Sequence, residues 1–222
     1  MVYLLLFLSV ALGFIIALFL KAKEVKSLSI YLAFSGAFLL AITIFELFPE
    51  VYKNPSKEIG IYIIIGILLQ IFLEIFSQGA EHGHVHEHSH TNSFPWLLFV
   101  SLSIHALLEG FPISDDNNLL IGVMVHKVPI ALILSLFFIK ANYKKSTIIL
   151  FLFFFALMTP LGNWISENMF FTSDEILKIN AVTIGVFLHV STTILFESSK
   201  NHQFNISKMS AVIIAIVIAY FL

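Results

Sequence analysis

Two histidines, a glutamate and a lysine stand inside apolar runs: His105 and Glu109 in SIHALLEG, His126 and Lys127 in VHKVP. An ionisable side chain at the centre of a membrane span costs about 2.5–3.5 kcal/mol on insertion scales, unless it faces other helices or a wet cavity. Such groups mark function first. His105 and Glu109 are four residues apart, so on a helix they project from one face. Between the runs lies the acidic turn SDDNN, and from its centre between Asp115 and Asp116 His105 lies as far back as His126 lies forward. An antiparallel helix pair therefore places both imidazoles at one depth, roughly 15 Å below the turn at about 1.5 Å per residue, near the middle of a bilayer.

Two neutral imidazoles and a carboxylate converging there suit a divalent ion such as zinc, iron(II), manganese or cobalt. The chain has no cysteine, so thiolate ligation is excluded. Lys127 repels a nearby cation, but it can occupy the place of a second ion and neutralise Glu109 or Glu46, so one principal metal position is expected. Glu46, three residues before Pro49, is expected either to line a path to the site or to serve the structure. Glu74, near a span end, reads as a solvated group or a helix contact, and His189 as a hydrogen-bonding partner between helices. Pro129 removes a backbone donor and frees the carbonyl near Val125, while Gly110, Gly122 and Gly162 let helices approach closely. Interrupted helices at the midplane are a transporter feature, because freed carbonyls can line an ion path.

A second histidine pattern lies in EHGHVHEHSH, where His82, His84, His86, His88 and His90 alternate, together with Glu81 and Glu87. Alternating histidines on a polar loop chelate first-row metals loosely. The same composition also serves a plain solvated linker.

The elements that position these groups follow from composition. Of 222 residues, 59% are hydrophobic and 12% charged, and the mean hydropathy is +0.96. Long apolar blocks in such a chain read as an all-α polytopic membrane protein. All basic charge is lysine and the net charge is -2, which excludes a nucleic-acid partner and leaves the lipid bilayer as the surrounding phase. At roughly 20 apolar residues per crossing, eight transmembrane helices are expected, at about 2–20, 28–48, 59–78, 94–112, 118–139, 146–166, 176–197 and 207–222. The first block has no basic leader and no small-residue cleavage site, so it reads as a retained span. Lys21, Lys23, Lys26, Lys140, Lys144, Lys145, Lys200 and Lys208 fall on one side of such a bundle, against Lys53, Lys57 and Lys178 on the other. The positive-inside rule then makes the lysine-rich side cytoplasmic, puts both termini outside, and turns the histidine-rich loop at residues 81–93 toward the cytoplasm.

At this point the motifs resemble a known family. The eight spans, the histidine-rich segment between the third and fourth, and outward termini are similar to the ZIP (ZRT/IRT-like) divalent metal transporters over nearly the whole chain. IHALLEG and VHKVP resemble the fourth- and fifth-span motifs of the branch with a His-Lys pair in the fifth span; LMTPLG, GVFLHV and FELFPE resemble the sixth, seventh and second spans. The resemblance implies a ZIP-type bundle, with His105, Glu109 and His126 as metal ligands and, more weakly, Glu46 in the path. Ala106 stands where asparagine or serine is common, and Ile130 replaces a ligand of two-metal members, which implies a single bound metal. The resemblance also implies elevator-like alternating access, with a mobile bundle holding the fourth and fifth spans, and often a homodimer.

The expected function is transport of a divalent metal ion, zinc first, into the cytoplasm by alternating access through the midplane site, with the metal as cargo and not as a cofactor. Abundant Ile, Phe, Lys and Asn without Arg point to a bacterial inner (plasma) membrane. An intramembrane zinc-dependent hydrolase is the alternative, since a His-His-Glu site with an open position would suffice, but no apolar run carries HExxH. A passive metal sensor or store would need only the histidine-rich loop.

Overall fold

The computed structural model of the chain describes residues 1–20, 28–53, 56–77, 94–113, 118–197 and 206–222. The loop at residues 81–93, with His82, His84, His86, His88 and His90, and the turn at Asp115 and Asp116 lie outside the described residues. Among those described, every regular element is helical: α1 (Val2–Leu20), α2 (Leu28–Val51), α3 (Lys57–Ser77), α4 (Trp96–Gly110), α5 (Leu119–Lys140), α6 (Lys145–Asn168), α7 (Ser173–Glu197) and α8 (Ile206–Phe221).

Six of these helices, α1, α2, α3, α5, α6 and α7, are long and apolar enough to cross a membrane. The other two are shorter apolar helices, of 15 residues in α4 and 16 in α8. At about 1.5 Å per residue they reach roughly 22–24 Å, less than the hydrocarbon thickness of about 30 Å. Prolines trim α4 inside its apolar stretch: Pro95 occupies its N-cap, and Pro112 lies just past its end. The chain is an integral membrane protein. Ile61, Ile64, Ile65 and Leu68 on α3, and Leu4, Leu8, Leu12 and Ile15 on α1, are all exposed, an arrangement that lipid solvates and water does not.

The helices sort into two groups. In the first, α1 packs along α5 and α6, and α4 packs along α6; in the second, α3 packs along α7, and α2 along α7 and α8. Glycines make two of these crossings close. A Cβ on Gly162 of α6 would sit 1.9 Å from the Leu107 carbonyl oxygen of α4, and one on Gly185 of α7 would sit 2.0 Å from the Ile63 carbonyl oxygen of α3. Only hydrogen fits there. The buried apolar side chains form two clusters that largely follow the groups. One is built around Phe38, Ile42, Ile63 and Phe187, the other around Leu102, Leu134, Phe138, Phe151 and Phe155. Between the groups α2 packs on α5 and α3 on α4, with less contact in all than either group makes internally.

Candidate metal centre

α4 and α5 bring their ionisable residues together at the boundary between the two groups. His105 and Glu109 stand one turn apart on the buried face of α4, and His126 and Lys127 on the buried face of α5. All four are at most 4% exposed, in a membrane protein whose outer surface is apolar. Burial at that level is tolerated only when charges are paired and donors are matched.

The pairing centres on Glu109. Its Oε1 lies 3.0 Å from His105 Nε2 and 3.8 Å from His126 Nε2. Its Oε2 takes the Lys127 ammonium at 2.6 Å. One carboxylate oxygen thus faces two imidazoles, and the other is occupied by a cation of the chain itself. Lys127 Nζ also lies 4.9 Å from the centre of the Phe155 ring, so an aromatic face shares the ammonium. The imidazole rings stand 6.4 Å apart at 75°.

The outward-facing nitrogens are held as well. His105 Nδ1 lies 3.1 Å from Oε1 of Gln70 on α3, and His126 Nδ1 lies 3.5 Å from Oγ of Ser35 on α2. With both Nδ1 atoms engaged, both Nε2 atoms are left to face Glu109. This is the orientation in which histidines ligate metals, the second nitrogen being fixed by a protein partner.

One ligand atom each from His105, Glu109 and His126 lies within 4.8 Å of the other two. Ligands at 2.0–2.1 Å around a tetrahedral zinc stand about 3.3 Å apart, so the widest pair would close by at most about 1.5 Å. Side-chain rotation can supply that. Leu102, Ile130 and Phe155 wall the same small cavity, whose free volume is about 10 Å³, room for one water-sized particle. Since Lys127 holds Oε2, the protein would offer a metal two nitrogens and one oxygen, leaving a fourth position for water.

Glu46 does not join this cluster. It sits half-buried in the π-helical turn Thr43–Leu47 of α2, where its Oε1 accepts a hydrogen bond of 3.4 Å from Asn118 Nδ2 at the start of α5. Pro49 follows, with no N–H to give to the preceding turn, and a π turn is a local widening of the helix. Glu74 and His189 pair with each other across α3 and α7 at 2.6 Å, partly exposed. Three residues that meet the cluster's ionisable groups from other helices were not singled out from sequence: Gln70, Ser35 and Phe155. Gln70 did leave a signal, as the one amide in the apolar run GILLQIFL. Ser35 and Phe155 left none, because small hydroxyls and aromatics are ordinary in such spans.

The family described as ZIP Zinc transporter matches residues 77–222, which include α4 to α8 and therefore every ligand candidate of the cluster. Zinc transporter ZIP1 of Danio rerio is 29% identical over 120 residues, covering 51% of this chain and 40% of that protein. The match thus spans about two fifths of the relative's length. A His-Glu-His cluster buried between apolar helices, together with a family match that contains all of it, settles the affiliation: the chain belongs to the ZIP zinc transporter family.

Proposed function

We propose that this protein carries a divalent metal ion, zinc before iron, manganese or cobalt, across its membrane and into the cytoplasm. The observation that carries the reading is the convergence of His105 Nε2, His126 Nε2 and Glu109 Oε1 on a small cavity of ion size. Membership of a transporter family supports it, and a relative named as a zinc transporter supports zinc in particular. The family is one of transporters and not of enzymes, and the hydrolase alternative loses its ground. No fourth carboxylate or imidazole joins the cluster among the described residues, so nothing there serves as a general base beside a metal-bound water.

In the proposed cycle the chain crosses the bilayer eight times, with α4 and α8 short, and both termini lie outside. The ion loses most of its hydration at the outer mouth, near Glu46, and binds the two imidazoles and Glu109 Oε1. Lys127 keeps Oε2 throughout. It holds the pocket at one metal, and by partly neutralising Glu109 it keeps binding weak enough for release. The group α1, α4, α5 and α6 then shifts against α2, α3, α7 and α8 and opens the cytoplasmic side, where the histidine-rich loop receives the ion. The thinner packing between the groups, compared with that within them, supports such a movement.

Zinc flux into proteoliposomes of the purified protein tests the reading. Saturable flux, abolished by His105→Ala and reduced by competing divalent ions in proportion to their affinity, is the expected result. Absence of flux in the wild type, or flux untouched by His105→Ala, would sink it.

A further inference from the structure

Gln70 belongs to the opposite helix group from all three candidate ligands, yet it reaches one of them. It is completely buried on α3, and its Oε1 lies 3.1 Å from His105 Nδ1. Placing an amide in an apolar wall is costly without a specific partner. One turn away on the same two helices, the Ser101 hydroxyl donates to the Leu73 carbonyl oxygen at 2.5 Å, so α3 and α4 are registered at this level by two polar contacts.

We propose that Gln70 is a positioning residue that holds His105 in the tautomer able to ligate the metal, and that it makes this readiness depend on the alignment of the two helix groups. The inference rests on the metal-site reading of His105, Glu109 and His126. With the amide in this orientation its carbonyl oxygen accepts only from an Nδ1–H. A neutral imidazole with its proton on Nδ1 presents a bare lone pair at Nε2. That lone pair points at Glu109 Oε1, 3.0 Å away. Two acceptors facing each other at that distance repel unless a proton or a cation lies between them, and the arrangement is thus primed for a metal.

His126 is held differently. Its Nδ1 meets the Ser35 hydroxyl at 3.5 Å, and a hydroxyl can donate or accept, so that contact does not select a tautomer. His105 is preset by the second helix group. When the groups shift, His105 loses its Gln70 partner, its ring is free to turn, and the metal is held less tightly.

The test compares wild type, Gln70→Leu and Gln70→Glu as full chains in lipid nanodiscs. Two quantities are read: the zinc dissociation constant by calorimetry, and the ¹⁵N shifts of the His105 ring in metal-free protein at alkaline pH. The wild type should show the proton on Nδ1. Gln70→Leu keeps the bulk and removes the acceptor, so it should lose the preference for that tautomer and weaken zinc binding by about 10–100-fold, the range for lost partners of metal-ligating histidines. Gln70→Glu supplies a stronger acceptor and should keep both the tautomer and the affinity. A wild-type ring with bare Nδ1, unchanged shifts and affinity in Gln70→Leu, or equal loss of affinity in both variants with unchanged shifts would each overturn the proposal. If Gln70→Leu does not fold, wild type and Gln70→Glu still decide through the Nδ1 signal. If wild-type protein binds no zinc, the metal-site reading falls, and the ring shifts alone then judge the hydrogen bond.

Discussion

Where α4 crosses α6 and where α3 crosses α7, backbone lies against backbone; where α5 faces α2 and α4 faces α3, side chains do the touching. Added Cβ atoms at Gly110 and Gly162 would meet carbonyl oxygens at 2.2 and 1.9 Å, and at Gly66 and Gly185 at 2.0 Å each. Between the groups, the glycine of α5 that faces α2, Gly122, would meet only the Ile42 side chain, at 3.2 Å. Among the described residues, the polar contacts across that boundary include Ser101 to Leu73, Gln70 to His105, Ser35 to His126, Thr183 to Leu108, and Asn118 to Glu46. Backbone apposition cannot slide without clashes, because the small-residue fit exists at one register only. Side-chain contacts can be exchanged for others. The difference separates what holds each group together from what allows the groups to move.

The largest effect should follow from breaking a backbone crossing. Gly162→Ala puts a methyl where the Leu107 carbonyl oxygen sits; α6 cannot retreat without disturbing α1, nor α4 without disturbing α3. A loss at or beyond the upper end of about 1–3 kcal/mol, the usual cost of overpacking, is expected. Thermal unfolding in detergent reads it. A melting temperature equal to wild type would mean that the crossing is looser than the geometry implies, and would blur the contrast with the boundary.

Lys127→Met attacks the boundary from inside the site. Without the ammonium, Glu109 keeps a buried charge whose strongest partner is gone, which should cost about 3–5 kcal/mol in metal-free protein. Zinc can take over as counter-charge, so the deficit should shrink as zinc is added, and the variant should bind zinc at least about tenfold more tightly, a gain of roughly 1.4 kcal/mol. Titrating zinc while following the unfolding temperature tests both halves. Equal zinc dependence in variant and wild type would show that Lys127 does not compete with the ion.

Acidity acts on the same site through the imidazoles. Both must be neutral to ligate, so protons compete with the metal. The sign is therefore loss of affinity on acidification. Where both rings are protonated in the free protein, the loss should reach about 100-fold per pH unit, since each bound ion then releases two protons. Zinc affinity that did not fall on acidification, down to the point where the fold is lost, would exclude histidine ligation.

The core of the site was legible in the sequence because it rests on local rules. An i,i+4 pair fixes His105 and Glu109 on one face of α4, and the position of the turn fixes the depth of His126; the structure brings the three together. Gln70, Ser35 and Phe155 reach the site from α3, α2 and α6, and no short-range pattern sets the rotation of those helices toward α4 and α5. Glu46 shows the same limit from the other side. Its sequence neighbourhood places it near the path, but its side chain meets Asn118 and stays apart from the cluster. Helix extents follow a similar division, for Pro95 and Pro112 trim α4 as local rules allow. The sorting into α1, α4, α5, α6 and α2, α3, α7, α8 is instead a tertiary property, since it pairs helices far apart in the chain.

The smallest expected effect probes that sorting directly. Gly122→Ala adds one methyl at the boundary, 3.2 Å from the Ile42 Cγ2, a side-chain atom that can yield by a few tenths of an ångström. Alanine gains up to about 1 kcal/mol of helix propensity over glycine, which offsets the crowding, so the folded protein should be about as stable as wild type. Zinc affinity should also hold, because residue 122 lies one turn from His126 and no ligand contact changes. Transport is different. If the two groups shift past each other, the methyl rides along α2 in every cycle, and a barrier raised by roughly 1 kcal/mol slows maximal flux by about fivefold. Reduced maximal flux at constant affinity and stability would tie the α2–α5 boundary to the movement. Unchanged flux would place the sliding surface elsewhere, with the α3–α4 contact at Gln70 and Ser101 the next position to crowd.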